Sequence, residues 1–521
     1  MENELFNRLL EYYGISLEEY QNLTKPVTVD NFAEGHSFKN MGDAVKLVKT
    51  AIENKDKIFI YGDYDADGIM GTSILVKGLS KITDKPSFYI PNRYHDGYGI
   101  TIDKAKEVCR CGVKLVVTVD NGVSAFEPIA YLKKHGVKVL ILDHHTIQET
   151  LPNADVIIHP QYSEFGDIPT SAAFTAFMFI WALLGKFDKY LSTLAAISLI
   201  SDMMPLKGYN RNFLRLVFAN FKGGEFEAID LLRDGEKFDE NAIGMKIAPK
   251  INALGRMVDS TDINCIIDYF TQDDPEILYN LSTWINQVND ERKKESRIAQ
   301  DKYSHITSEE PALVIATEAK EGIIGLVANN LCNNLHLPVI VFTKDKEHNI
   351  LKGSCRAPEG FNVVDAFNSL SNLTLTAGGH ALAGGCSINM DDYDEFANRF
   401  IAYAKANPIK PVEHKEIIIR ISEITHENYS MIQTFSPFGE NWKAPTFILK
   451  RIKTSALLFS KTGDHILTYI GQGAKLTGFN FPHNEVTQMP YVDLVGKLKT
   501  SIYRGMLSLD YMIKEVRLAE K

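Results

Sequence analysis

Short apolar runs recur along the first two hundred positions, and three of them stop abruptly at acids. Ile58-Phe59-Ile60-Tyr61 leads into Gly62-Asp63-Tyr64-Asp65-Ala66-Asp67-Gly68, and Leu115-Val116-Val117-Thr118-Val119 into Asp120-Asn121-Gly122. Val137-Lys138-Val139-Leu140-Ile141-Leu142 leads into Asp143-His144-His145. From about 41 to 206 such runs alternate with helical patterns, the signature of an α/β unit with a parallel sheet. Asp155-Val156-Ile157-Ile158 reads as a further strand, and 171–184 and 191–200 as buried helices, the second running into Ser201-Asp202-Met203-Met204-Pro205. Residues 1 to about 40 read as a short helical lead-in, with an irregular stretch at Lys25-Pro26.

Farther on the period changes twice. Asp274-Pro275 is a good N-cap followed by a first-turn proline, and Ile277, Leu281, Trp284 and Val288 follow at helical spacing. The pattern then turns polar on all sides from Asn289 to Lys302, which is simplest as a long connector between domains. A second α/β unit spans about 310 to 405, with strands at Ala312–Ala316 and Val339–Phe342 and a helix starting at Glu321-Gly322-Ile323-Ile324-Gly325. The remainder, about 412 to 521, is strand-rich with short spacing and glycine turns, as in a small barrel or sandwich.

At 521 residues the chain predicts about three domains. Its longest apolar stretch, Ala172 to Leu184, is too short for a membrane span of about 20 residues. The start, Met-Glu-Asn-Glu-Leu-Phe, has no basic region of a signal peptide, and the six cysteines show no paired framework and no CxxC. Reduced thiols in a cytoplasm are therefore expected. The net charge of −10 does not advertise a nucleic-acid binder, but a metal-dependent nuclease gathers acids at its metals and can keep its basic residues in one groove.

Ligands of open parallel sheets bind beyond the carboxyl ends of the strands. Asp63, Asp65, Asp67, Asp120, Asp143, His144 and His145 are thereby expected along one edge. Such charge is costly unless cations neutralise it, so a divalent site, with two metals, is the economical reading. An EF-hand alternative fails, because its twelfth position counted from Asp63 is Ile74 rather than glutamate. Mixed carboxylate and imidazole donors suit manganese while still accepting magnesium. Asp202 closes an apolar helix and is either an exposed terminus or a ligand aimed back into the site. Thr376 to Gly385 is a glycine-rich stretch around His380 that reads as a phosphate-approaching loop, and Ser354 with Arg356 could clamp a phosphate.

In this order the motifs resemble those of the DHH phosphoesterase superfamily, and within it the bacterial RecJ-type single-strand-specific exonucleases, from about residue 35 onward. The matching segments are Tyr61–Gly68, Pro91–Gly99, Val119–Gly122, Asp143–His145, Ser201–Leu206, Asn252–Met257, Gly378–His380 and Ser436–Asn441. The resemblance implies a DHH-type parallel-sheet domain (41–206) after the lead-in (1–40), then a helical region with the long connecting helix (207–306). A second α/β, DHH-associated domain (307–408) and a C-terminal OB-like β-barrel (409–521) follow. It implies a 5′→3′ exonuclease on single-stranded DNA, active in recombination and repair, that releases nucleoside 5′-monophosphates with two Mn2+ or Mg2+ ions.

By the same resemblance Asp65, Asp67, Asp120, His144 and Asp202 are metal ligands, with Asp63 and Asp143 on the metals or directly behind them. His145, together with Asp120 and His144, would carry the chemistry. Arg93, Arg256, Ser354, Arg356, Gly378, Gly379 and His380 would hold the terminal phosphate or scissile nucleotide. Single-strand-binding protein and a RecQ-type helicase are the implied partners of a monomer. Trp442, Lys443, Phe447, Lys450, Arg451, Lys453, Lys497, Lys499, Tyr503 and Arg504 interleave base and aromatic character in the barrel, as stacking on single strands requires. The family usually carries Trp-His where this chain has Ala319-Lys320. The main alternative is a DHH phosphodiesterase acting on short oligonucleotides or cyclic dinucleotides.

Overall fold

The computed structural model describes residues 4–33, 38–147, 149–163, 168–257, 262–345, 349–410, 415–471, 473–503 and 506–519. They form two units. The larger holds Gly35–Met204 and Val217–Val412, and the smaller Met1–Glu34, Pro205–Leu216 and Glu413–Lys521.

The larger unit contains two sheets. In the first, β1 (Ile58–Tyr61), β2 (Ser87–Tyr89), β3 (Leu115–Val119), β4 (Lys138–Leu142) and β5 (Val156–Ile158) lie in the order β2-β1-β3-β4-β5, all parallel. Every residue of β3 is buried, as a parallel sheet covered on both faces demands. The helices α1 (Ala66–Leu79), α2 (Ala172–Leu184) and α3 (Lys189–Ser201) are buried nearly all round, so they form an interior layer rather than an amphipathic surface. Close approach explains two glycines of α1. A Cβ on Gly71 would stand 2.5 Å from a methyl of Val119, and one on Gly78 would stand 2.7 Å from Ile180.

Farther along the same unit, α4 (Ala248–Arg256) packs on α5 (Pro275–Tyr303), a helix capped by Asp274 with proline in its first turn. The second sheet follows, with β6 (Leu313–Thr317), β7 (Val339–Lys344), β8 (Ile350–Arg356), β9 (Thr376–His380) and β10 (Ala383–Asn389) in the order β6-β7-β8-β10-β9. Among the described residues only the β6–β7 pair of this sheet is parallel. The helix α6 (Glu321–Leu335) packs on β7, β8 and α5. The glycine-rich segment expected as a loop is instead the edge strand β9, paired residue for residue with β10. Its glycines let two strands approach: a Cβ on Gly379 would stand 2.4 Å from the Ala383 carbonyl.

The smaller unit carries a six-stranded sheet of β11 (Ile417–Ile418), β12 (Phe447–Lys453), β13 (Ile466–Gly471), β14 (Ala474–Gly478), β15 (Tyr491–Tyr503) and β16 (Met506–Leu518), ordered β11-β12-β15-β16-β14-β13. Its core takes in Leu5 and Leu9 of the N-terminal helix Glu4–Tyr13 beside Phe447, Leu494 and Tyr511. Arg211 is the largest buried side chain of this unit. It donates to the carbonyls of Pro437 at 2.8 Å, Phe435 at 2.6 Å and Ser436 at 3.0 Å, and its guanidinium lies 4.7 Å from the Trp442 ring centre.

Candidate metal centre and phosphate pocket

The acid-rich edge forms because β1, β3 and β4 are parallel and end together. Asn121 ties two of those ends, its amide donating to the carbonyls of Gly62 at 3.1 Å and Val119 at 2.9 Å. Each carboxylate is then aimed differently. Asp65 caps α1, accepting from the N–H groups of Asp67 at 2.9 Å and Gly68 at 3.1 Å. Asp67 is buried at the N-terminus of α2, where the amides of Ala172 and Ala173 donate at 2.8 Å each and the Ser198 hydroxyl at 2.5 Å. Asp120 sits in the left-handed region at φ +63°, which a short polar side chain tolerates and which turns its carboxylate off the strand.

Around His144 three carboxylates converge. Its Nε2 lies 3.2 Å from Asp120 Oδ1, 3.5 Å from Asp67 Oδ2 and 3.5 Å from Asp202 Oδ2. Donor atoms of Asp67, His144 and Asp202 lie within 4.8 Å of one another, as do those of Asp120, His144 and His145 and those of Asp63, Asp65 and Asp120. Three buried oxygens, Asp63 Oδ1, Asp120 Oδ1 and Asp202 Oδ2, make no hydrogen bond. Burial and then the neighbouring acids raise Asp63, Asp120 and Asp202, the last to about 9. Burial lowers His144. Orphaned buried carboxylate oxygens around a neutral imidazole are the donor set of hard divalent ions, and the residues fit Mn2+ or Mg2+.

Asp143 plays a different part. Its Oδ1 accepts from the His144 amide at 2.7 Å and stands 2.8 Å from His145 Nδ1, and its Oδ2 accepts from the Val123 amide at 3.0 Å. Burial raises its pKa, but the hydrogen bond and charge of His145 outweigh this and hold it at about 2. Asp143 belongs to none of the three ligand groups and instead fixes the ring of His145. Burial pulls His145 down, yet the bond to Asp143 leaves its pKa raised. Tyr98, which sequence reasoning passed over, sets its hydroxyl 3.0 Å from His145 Nδ1 and 3.1 Å from the Asp120 carbonyl. Its only sequence signal was its place in the Pro91–Gly99 segment.

Beside the acids lies a cluster of guanidiniums. Arg93 stacks over the Tyr64 ring at 4.3 Å. Asn252 accepts from the Ala66 amide at 2.8 Å, and a Cβ on Gly255 would lie 2.4 Å from the Tyr64 carbonyl, so α4 is seated against the Asp63–Asp67 turn. That seat delivers Arg256, which donates to the Gly322 carbonyl at 3.0 Å. The Tyr94 hydroxyl donates to the Arg256 carbonyl at 2.7 Å. Arg356 donates to Ser354 Oγ at 3.1 Å. Burial, then Arg93, Arg356 and Arg292, lower Arg256 to about 10.

No contact links Gly378, Gly379 or His380 to these arginines among the described residues, but strand register aligns them. Ser354, Gly385 and Gly378 form one cross-strand row, and Arg356, Ala383 and His380 the next. Small residues in the middle of each row leave that face of the sheet open. At the departure from the family pattern, Lys320 pairs with Glu295 at 3.1 Å.

The barrel residues divide. Phe447 is core, and Trp442 stacks on Tyr13 with ring centres 4.4 Å apart. Lys450 pairs with Asp493 at 2.7 Å. Lys497 is lowered by burial and then by Lys514 and Lys443, which marks a lysine cluster. The side chain of Tyr503, and all of Arg504, lie outside the described residues.

Comparison with known proteins agrees over most of the chain. The DHH family N-terminal domain matches residues 57–201, the DHHA1 domain 309–406 and the RecJ OB domain 416–515. The single-stranded-DNA-specific exonuclease RecJ of Bacillus subtilis is 28% identical, over 98% of this chain and 68% of its own length. That of Haemophilus influenzae is 28% identical, over 93% and 92%. The crystal structure of RecJ in complex with Mn2+ from Thermus thermophilus superposes with a TM-score of 0.83 at 23% identity, covering 99% of this chain and 78% of that one. With its acid cluster, its guanidinium cluster and three matching domain models in order, the chain belongs to the DHH phosphoesterase superfamily and is of the RecJ type.

Proposed function

We propose that this protein is a single-stranded-DNA-specific exonuclease that removes nucleotides from the 5′ end and releases nucleoside 5′-monophosphates. The observation that carries the reading is the juxtaposition of a carboxylate–imidazole cluster with a guanidinium cluster across the single turn Asp63–Asp67. Asp63, Asp65, Asp67, Asp120, His144 and Asp202 would hold the divalent ions. When bound, such ions supply hydroxide at neutral pH and neutralise charge on the phosphoryl oxygens. Asp143 holds the His145 ring through Nδ1 at 2.8 Å, which leaves Nε2, 3.2 Å from the Tyr98 hydroxyl, to offer a proton to the departing 3′ oxygen. Arg93, Arg256, Arg356 and Ser354 anchor the terminal phosphate beside the acids, since guanidinium forks match phosphate oxygens. An end-anchored strand presents one bond at a time, which sets both the exonucleolytic mode and the polarity. The row formed by Arg356, Ala383 and His380 continues that anchoring face.

The resemblance to RecJ-type relatives extends the proposal to a monomer acting in the cytoplasm, with single-strand-binding protein and a RecQ-type helicase as partners. No helix among the described residues is long and apolar enough to cross a membrane. The test uses a 5′-phosphorylated single-stranded oligonucleotide with manganese, labelled in turn at each end, with Asp120→Asn protein and a duplex as controls. Immediate release of the 5′ label as mononucleotide, with stepwise shortening of the 3′-labelled strand, is expected. A surviving long strand with cleavage of dinucleotides or cyclic dinucleotides would transfer the site to small substrates.

A further inference from the structure

Arg292 projects from α5, the connecting helix, against which α4 and α6 both pack. Its Nη2 donates to Oδ1 of the buried Asn289 at 2.6 Å, one turn earlier. Its Nε is buried and makes no hydrogen bond, and the same is true of Arg93 Nε. Burial lowers the pKa of Arg292, and its charge in turn helps lower that of Arg256. One turn further along α5, Glu295 pairs with Lys320 at the start of α6. Arg256 donates to the Gly322 carbonyl of α6, and the Gly322 amide donates to the hydroxyl of Tyr94, next to Arg93. A Cβ on Gly325 would lie 3.2 Å from the Arg356 guanidinium, so four guanidiniums from four separate elements gather around the start of α6. Among the described residues none of them is paired with a carboxylate: Arg93 rests on Tyr64, Arg256 on a carbonyl, Arg292 on Asn289, and Arg356 on Ser354 and the Cys355 carbonyl. A buried donor left without a partner costs about 1–3 kcal/mol, and packed like charges add to that cost. A polyanionic ligand relieves both.

The charge count says which anion. A terminal phosphate monoester carries about −1.5 to −2 at pH 7, and the next diester one more, so one phosphorylated strand end supplies close to three negative charges. An end with a 5′-hydroxyl offers only the diesters. We propose that Arg292 is a specificity-determining residue of the phosphate pocket, reading the second negative charge of a terminal 5′-phosphate from the connecting helix. The inference rests on the exonuclease reading and adds to it a residue that lies outside every matched sequence segment.

The test is binding, separated from cleavage. Fluorescence anisotropy with labelled oligothymidylate, 5′-phosphorylated or 5′-hydroxyl, is measured with calcium in place of manganese, and the strand is checked to be intact. The ratio of the two Kd values is compared for the unaltered protein, Arg292→Gln and Arg292→Lys. A lost charge-assisted hydrogen bond corresponds to roughly tenfold or more, so Arg292→Gln is expected to shrink the ratio about tenfold and Arg292→Lys to recover part of it. If Arg292→Gln does not fold, a ratio between those of the unaltered protein and no discrimination in folded Arg292→Lys carries the test. An unchanged ratio in folded Arg292→Gln, or, where that variant does not fold, an unchanged ratio in folded Arg292→Lys, overturns the proposal. An unaltered protein that binds both ends equally, yet degrades from the 5′ end with manganese, overturns it while the exonuclease reading stands. An unaltered protein that neither binds nor degrades single strands overturns both.

Discussion

Replacing Asp120 by asparagine separates what the acids do to the fold from what they do for chemistry. Asparagine has the same shape and also tolerates φ +63°, so the backbone need not move. Donor atoms of Asp63, Asp65 and Asp120 lie within 4.8 Å of one another. Two unit charges at that distance repel by about 3 kcal/mol at an effective dielectric of 20. The cluster sheds part of this by binding protons, since burial and the surrounding acids raise Asp120 well above the ordinary carboxylate range. A net gain of about 1–3 kcal/mol for the metal-free variant at pH 8 follows, read as about 2–6 °C in melting temperature. Manganese should reverse the order. An ion at a hundred times its Kd stabilises the unaltered protein by about 2.7 kcal/mol, and the variant, one anionic donor short, should gain much less. Thermal melts against manganese concentration should therefore cross. A variant that melts below the unaltered protein without metal, or that gains as much from manganese, would refute the account of a repulsive cluster waiting for cations.

Three further outcomes are expected. Gly322→Ala places a Cβ 2.3 Å from the Arg256 carbonyl, so it should cost about 1–3 kcal/mol and slow strand degradation, read by melting and by 5′-label release. Arg211→Met removes three hydrogen bonds to backbone carbonyls, two of them buried, and should destabilise the smaller unit by about 3–5 kcal/mol in urea unfolding; a loss under about 1 kcal/mol would contradict that role. Asp155 is raised by burial but lowered overall by hydrogen bonds from Lys133, the Val139 amide and Lys138. A folded pKa below the unfolded one stabilises above the unfolded value and is lost as pH falls through the folded value. Asp155→Asn should therefore cost about 1 kcal/mol near neutrality, and its deficit should vanish as pH falls below about 4.

The acid edge was legible because its signal is local: an apolar strand followed at once by carboxylates needs only the rule of strand ends. Asp202 and Arg256 were visible as motifs, but their convergence needed α3 and α4 to pack in place. Ser198 and Arg292 carry no local mark, and Tyr98 only its place in the Pro91–Gly99 segment. Ser198 sits inside an apolar helix and matters only because that helix brings its hydroxyl to Asp67. The segment at His380 has turn-like composition, yet cross-strand pairing with β10 fixes it as a strand, a case of tertiary pairing overriding glycine's local preference. In the barrel, Phe447 and Trp442 looked like stacking platforms, but Phe447 is buried in the core and half-buried Trp442 stacks on Tyr13 of the N-terminal helix.

That N-terminal helix has a consequence for how the protein is made. The smaller unit is discontinuous: its first strip is synthesised before the larger unit, and its sheet only afterwards. At about 5–20 residues per second, Leu5 and Leu9 wait roughly half a minute or more for β11–β16 to leave the ribosome. During that interval an amphipathic helix stands without its receiving surface, a natural client for a nascent-chain chaperone. The closing contact joins residues more than four hundred positions apart, as the stacked pair Tyr13 and Trp442 illustrates, so its formation bears the loop-closure entropy of nearly the full polypeptide. The larger unit shortens that loop by folding first, so the barrel's maturation is expected to follow the nuclease half in time and to depend on it.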